Sequence, residues 1–181
     1  MNIIVTILVI VAGIIALLLV IGLFMRKQHY VKREIVINAP RQKVFDYVKL
    51  LKNQDEFNKH AMAGPDRKKE FRGTDGTVGY VYAWSGSKNA GEGEKEIMNI
   101  IEGKRIDMEI RFVKPMKASA IITIETESLS DPDSYQDQTK LSWSNTGTLK
   151  YPVNIMIPMM EKHVVKDMDS SLSTLKNILE K

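Results

Sequence analysis

From Asn2 to Met25 the chain carries no charge and consists almost wholly of Ile, Leu and Val, and it ends abruptly at Arg26-Lys27. The apolar core of that run, Ile3 to Met25, measures roughly 34 Å at about 1.5 Å per helical residue, against about 30 Å of bilayer hydrocarbon. It is long enough to cross a membrane once, with a modest tilt. A cleaved signal peptide would need a basic leading segment, a shorter apolar stretch and a small-x-small cleavage site. Here Asn2 stands in place of a basic residue and the run closes on Leu23, Phe24 and Met25, so a retained anchor is expected. Gly13 and Gly22 are too far apart for a GxxxG dimer face.

Arg26, Lys27, Lys32 and Arg33 crowd the C-terminal flank of this segment, which by the positive-inside rule places the rest of the chain in the cytoplasm and the N-terminus outside. The chain has no cysteine, which fits a reducing compartment. The expected organisation is an anchor over 1–25, a basic juxtamembrane linker over 26–30 and one domain over 31–181, large enough to bury a real core. The net charge of +4 is mild, with a second basic cluster at Arg67, Lys68, Lys69 and Arg72. Such clusters suit a surface beside acidic headgroups. Nucleic-acid binding would need a stronger bias and interleaved aromatics, and is not expected.

The domain opens with an alternating strand from Val31, in which Val31, Arg33, Ile35 and Ile37 share a face up to Ala39-Pro40. Val44, Phe45, Val48 and Leu51 then recur at helical spacing, giving one or two short helices to about Asn58. His60 to Asp75 reads as loop with a short strand around Lys69 to Phe71. From Gly76 the period changes to two. Val78, Tyr80, Tyr82 and Trp84 share a face, a turn follows over 85–91, and strands are expected over 96–101, 106–112, 118–127 and 139–148. An acidic, Pro-containing loop over 128–137 separates the last two. The chain closes on an amphipathic helix, with Ile157, Met160, Val164, Met168, Leu172, Leu175 and Leu179 at steps of three and four. Pro158 makes it start near Ile157 or kink there.

A strand, a helical pair, an antiparallel meander and one long C-terminal helix make an α+β domain. This order resembles the START-like, or Bet v 1-like, helix-grip superfamily, in particular its bacterial polyketide cyclase/dehydrase-like (SRPBCC) branch. The resemblance covers about Val31 to Lys181. It rests on Val36-Ile37-Asn38-Ala39-Pro40 leading into Val44-Phe45, on Tyr82-Ala83-Trp84-Ser85-Gly86, on Gly91-Glu92-Gly93-Glu94, on Glu102-Gly103-Lys104-Arg105-Ile106 and on Phe112-Val113-Lys114-Pro115. It implies a curved antiparallel sheet wrapped around the C-terminal helix, and, the branch being bacterial, a bacterial inner membrane for the anchor expected from the N-terminal run. It also implies a cavity between sheet and helix that holds an apolar molecule.

Residues on the apolar strand faces and at the start of the covering helix are the cavity candidates: Tyr80, Tyr82, Trp84, Met108, Ile110, Ile122, Ile124, Trp143, Met156, Met159, Met160 and His163. Methionine adapts to irregular ligands, and Trp or Tyr brings a polar handle into an apolar pocket. For any one of these residues solid packing is the commoner outcome, since periodic apolar faces make cores. No His has a second ligand at helical spacing and no cysteine is present, so neither a metal nor a cofactor is expected. The sequence has no nucleophile elbow or phosphate-binding fingerprint, and no catalytic residue is assigned. Three functions stay open: binding of a hydrophobic or amphipathic small molecule such as a lipid at the membrane; an enzyme on a hydrophobic substrate using Glu94, Glu96 or His163; and a protein-interaction module on the sheet.

Overall fold

A computed structural model of the protein describes residues 2–62, 67–86, 91–129 and 137–181. Gly64-Pro65, the centre of the turn over 85–91 and most of the acidic loop over 128–137 lie outside them. Helix α1 (Ile3–Phe24) is long and apolar enough to cross a membrane, and its residues are exposed except for half-buried Thr6 and buried Gly22. Strand β1 (Gln28–Ile37) starts three residues earlier than the alternation suggests, because Gln28 to Tyr30 pair with Gly147 and its neighbours. Short helices α2 (Arg41–Lys49), α3 (Gln54–Phe57) and α4 (Lys59–Met62) follow.

Six strands continue the sheet: β2 (Lys68–Arg72), β3 (Val81–Ser85), β4 (Glu92–Ile101), β5 (Arg105–Lys114), β6 (Ala118–Ser128) and β7 (Thr139–Thr148). Their order among the described residues is β1-β7-β6-β5-β4-β3-β2, antiparallel throughout. The expected strand at Val78 is replaced by turns. Gly76 and Gly79 sit at φ +77° and +83°, a region open to glycine, so β3 begins only at Val81 and Val78 is exposed. A 3₁₀ turn over Val153–Met156 leads into α5 (Ile157–Leu179), where Pro158 occupies the first turn and therefore leaves no helical hydrogen bond unmade.

The inward faces of the strands change character along their length. At one end Ile37, Ile97, Ile106, Met108, Ile124 and Leu141 pack with Val44, Phe45, Phe57 and the C-terminal half of α5, represented by Leu172, Leu175 and Leu179. At the other end the inward residues are smaller or polar: Ala118 and Ala120 on β6, Gly147 on β7 and Lys95 on β4. Ile110 faces Ala120, which in turn faces Gly147, so the small side chains fall side by side across β5, β6 and β7. Solid packing fails there, and that failure makes the cavity.

Two contacts fasten α1 to the domain. Asn154, fully buried, donates from Nδ2 to the carbonyls of Gly22 (2.7 Å) and Met25 (3.1 Å), and the Arg26 guanidinium pairs with Glu161 of α5 at 2.5 Å. These carbonyls belong to the last turn of α1, where no intrahelical partner exists.

Candidate ligand cavity

Between the sheet and the N-terminal half of α5 lies a cavity of about 360 Å³. Its sheet side is made by Ile110, Phe112, Ala118, Ala120, Ile122 and Trp143, and its helix side by Met160, His163, Val164, Asp167, Met168 and Ser171. Leu149 and His29 close the corner nearest α1, and the Leu149 amide donates to the Lys27 carbonyl at 2.8 Å. His29 is buried against Gly147, and its Nε2 lies 2.9 Å from Asn145 Oδ1. The exposed Pro115 and Met116, in the turn between β5 and β6, belong to the same lining.

At the other end of the cavity, Asn58, His60, Lys95 and Ile110 also border a smaller chamber of about 20 Å³, completed by Arg67, Tyr82, Trp84, Gln54 and Asp55 among others. Lys95 arrives by alternation. On β4 the side chains of Glu94 and Glu96 point outward into ion pairs with Arg111, so the residue between them must point inward. Its amine donates to Gln54 Oε1 at 2.5 Å, and burial lowers it from 10.5 to about 8 even with Asp55 opposing that shift. His60 stands edge-on to Trp84 and Phe112, with centroids 5.9 and 5.7 Å away. The residue as a whole is exposed, and it borders both spaces. Burial, then the charges of Arg67 and Lys95, lower it to about 4, so it is neutral at neutral pH. Asp55 accepts from Tyr82 Oη (2.6 Å) and Lys69 Nζ (2.7 Å); burial followed by that bond raises the Tyr82 phenol well above its usual range.

An antiparallel sheet, a long C-terminal helix laid on it and a cavity between the two together define an architecture. The domain has the helix-grip fold. Solved structures with this shape include truncated norcoclaurine synthase from Thalictrum flavum (TM-score 0.60, 15% identity, covering 85% of this chain and 95% of that one). Protein CV1439 from Chromobacterium violaceum gives a TM-score of 0.58 at 16% identity, and Ara h 8.0201 one of 0.57 at 15%, each over 84% of this chain and 97% of the other. These are Bet v 1-like proteins, and at such identities the likeness shows the fold. No family model and no curated protein sequence matches the chain.

Within this helix-grip domain the twelve candidates divide. Ile110, Ile122, Trp143, Met160 and His163 line the cavity, and Tyr82 and Trp84 line the chamber. Tyr80, Met108 and Ile124 pack in the solid core at the other end of the same strands. Met156 belongs to the 3₁₀ turn before α5, and Met159 is 64% exposed, since adjacent residues on a helix are about 100° apart and Met160 takes the inward direction.

Glu94 and Glu96 lie on the outer face of the sheet with Arg111, Glu109 and Arg72. Burial works against ionisation of Glu94, but hydrogen bonds from Arg111 and Arg72 carry its carboxyl below the ordinary range. His163 has a side chain 77% exposed at the cavity rim, 3.5 Å from Asp167. The inward groups absent from the sequence reading are Lys95, Arg67 and His60. Alternation about the outward Glu94 and Glu96 was a usable signal for Lys95; Arg67 and His60 lie in irregular chain where no periodicity reports direction.

Proposed function

We propose that the chain is a membrane-held binding protein for a hydrophobic or amphipathic small molecule, carried by the cavity between the sheet and α5. The observation that supports this most directly is the cavity itself: about 360 Å³ with a mainly apolar lining, in the size range of small-ligand sites. In this reading α1 crosses the bilayer with its N-terminus outside and the domain in the cytoplasm. The fastening of α1 through Asn154 and Arg26 then sets the His29–Leu149 corner of the cavity close to the lipid surface. Tyr151, Met156 and Met159, all exposed around that junction, suit an interface with headgroups. A tethered pocket of this kind samples membrane amphiphiles at high local concentration.

The test uses the full chain extracted in mild detergent and examined by native mass spectrometry, beside Val164→Trp, which fills the cavity from the helix side. The wild type is expected to retain a defined small molecule that Val164→Trp lacks. Empty wild-type protein that also fails to take up any added amphiphile would refute the reading.

One observation favours a second reading, an enzyme on a hydrophobic substrate. Lys95 is an inward amine whose lowered basicity suits proton transfer or imine formation with a carbonyl compound. Borohydride trapping with a long-chain aldehyde, absent in Lys95→Met, would support it; no adduct on Lys95 would remove it.

A further inference from the structure

This inference rests on the cavity reading and narrows its ligand. The groups left without partners around the cavity and chamber are mostly donors. Arg67 is 7% exposed, and its Nε and Nη2 are buried with no hydrogen-bond partner among the described residues. The indole Nε1 atoms of Trp84 and Trp143 are likewise buried and unpartnered. His29 Nδ1, also unpartnered, can take either role.

Lys95, 9% exposed, carries three N–H donors and spends one on Gln54. Asp55, the carboxylate bordering the chamber, is already engaged by Tyr82 and Lys69. In the larger cavity Asp167 stands against His163. Two buried cations thus converge on one small space in which Asp55, the one carboxylate among its described lining residues, is shared with Tyr82 and Lys69. Folded proteins keep buried charges paired, because an unpaired one is strongly destabilising.

The two free nitrogens of Arg67 form a pair of specific geometry. Nε and Nη2 make up one edge of the guanidinium, and that edge donates two parallel hydrogen bonds to the two oxygens of a carboxylate. The Trp84 ring lies 5.9 Å from the guanidinium carbon and backs it as a cation–π partner. The chamber, at about 20 Å³, has room for about one water-sized group, so a head reaches this edge by entering from the larger cavity, with which the chamber shares Asn58, His60, Lys95 and Ile110. We propose that the cavity takes a carboxylate-headed amphiphile, its carboxylate docked on the Nε–Nη2 edge of Arg67 with Lys95 as second cation. Its apolar body lies along Ile110, Phe112, Ile122 and Val164. The neutrality of His60 leaves Arg67 and Lys95 as the two charges that read the head.

The test is calorimetric titration of the full chain, in nanodiscs of zwitterionic lipid at pH 7, with dodecanoate, dodecanol and dodecyl phosphate, against protein-free nanodiscs. Charge-assisted bonds to a buried head predict dodecanoate binding about tenfold to a hundredfold more tightly than dodecanol. Arg67→Met is expected to abolish that margin while dodecanol binding persists, which also certifies the fold; Lys95→Met is expected to reduce it. Equal binding of acid and alcohol by the wild type overturns the proposal, as does an undiminished margin in Arg67→Met. A preference for dodecyl phosphate over dodecanoate overturns the carboxylate head. Binding of none of the three removes the cavity reading itself, an outcome distinct from loss of the margin.

Discussion

Replacing Lys95 with methionine should stabilise the protein near neutral pH and lose that advantage by pH 10. Burial lowers the Lys95 amine from 10.5 to about 8, a displacement equivalent to about 3 kcal/mol of penalty at pH 7. The side chain is 9% exposed, so solvent screening removes little of it. Methionine keeps the stem and loses the charge, but it leaves Gln54 Oε1 without its donor at a cost of about 1–2 kcal/mol. The net at pH 7 is a gain of about 1–2 kcal/mol, or roughly 4 °C in Tm for a chain of this size.

The sign reverses with pH. Between pH 8 and 10.5 the unfolded chain holds the lysine proton and the folded chain does not, so wild-type stability rises relative to the variant across that window. By pH 10 the wild-type penalty falls to about 1 kcal/mol, below the cost of the orphaned glutamine, and the order of stability inverts or closes. Chemical denaturation of both proteins at pH 7 and pH 10 measures the difference directly, because every other titrating group is common to the two. Wild type and Lys95→Met curves that stay parallel across that interval would refute the assignment of Lys95 as a buried, charged amine.

Two further substitutions test the surroundings of the cavity. The folded-state value of His60 is lowered from 6.5 to about 4, so the stability tied to its neutral form is complete above pH 6.5 and is lost as pH falls toward 4. His60→Phe should therefore gain on the wild type in urea melts between pH 6.5 and 4 and hold a constant offset above pH 7; an offset that does not change with pH would count against the lowered value of this imidazole. At Gly147 an added Cβ would sit 2.5 Å from His29 Cε1 and 2.9 Å from the Ser119 carbonyl oxygen, which is backbone and cannot swing away. Gly147→Ala is expected to lower stability by about 1–3 kcal/mol, read as a drop in Tm, and an unchanged Tm would show that β6 and β7 separate without cost.

Strands β5, β6 and β7 were legible because each alternates against solvent, and α5 because its apolar residues recur on one face. What periodicity does not carry is position along the strand. Ile106 and Ile110 share a face of β5 with the same chemistry, yet the first is core and the second is cavity wall. That distinction depends on Ala120 on the neighbouring strand and Gly147 on the one beyond it, which register alone brings opposite. Val78 marks the complementary limit, since its alternation is regular but Gly76 and Gly79 spend those residues on turns.

Along α5 the two tasks separate within one helix. Leu172, Leu175 and Leu179 are almost fully buried, and burial of that kind contributes about 1.5–3 kcal/mol per side chain. Met160, His163 and Asp167 border open space and contribute far less to holding the helix down, while Val164 packs only in part against the core. Ile157 and Met168 are buried at the two ends of the N-terminal half, and polar contacts supplement them: Arg26 to Glu161, Arg33 to Asp169 at 2.6 Å, and Asn154 to the end of α1. Exposed ion pairs of this kind are worth at most about 1 kcal/mol each. The half of α5 over the cavity is therefore the half that yields first, and it is the half joined to α1, so entry of a ligand and movement at the membrane end draw on the same weakly held segment.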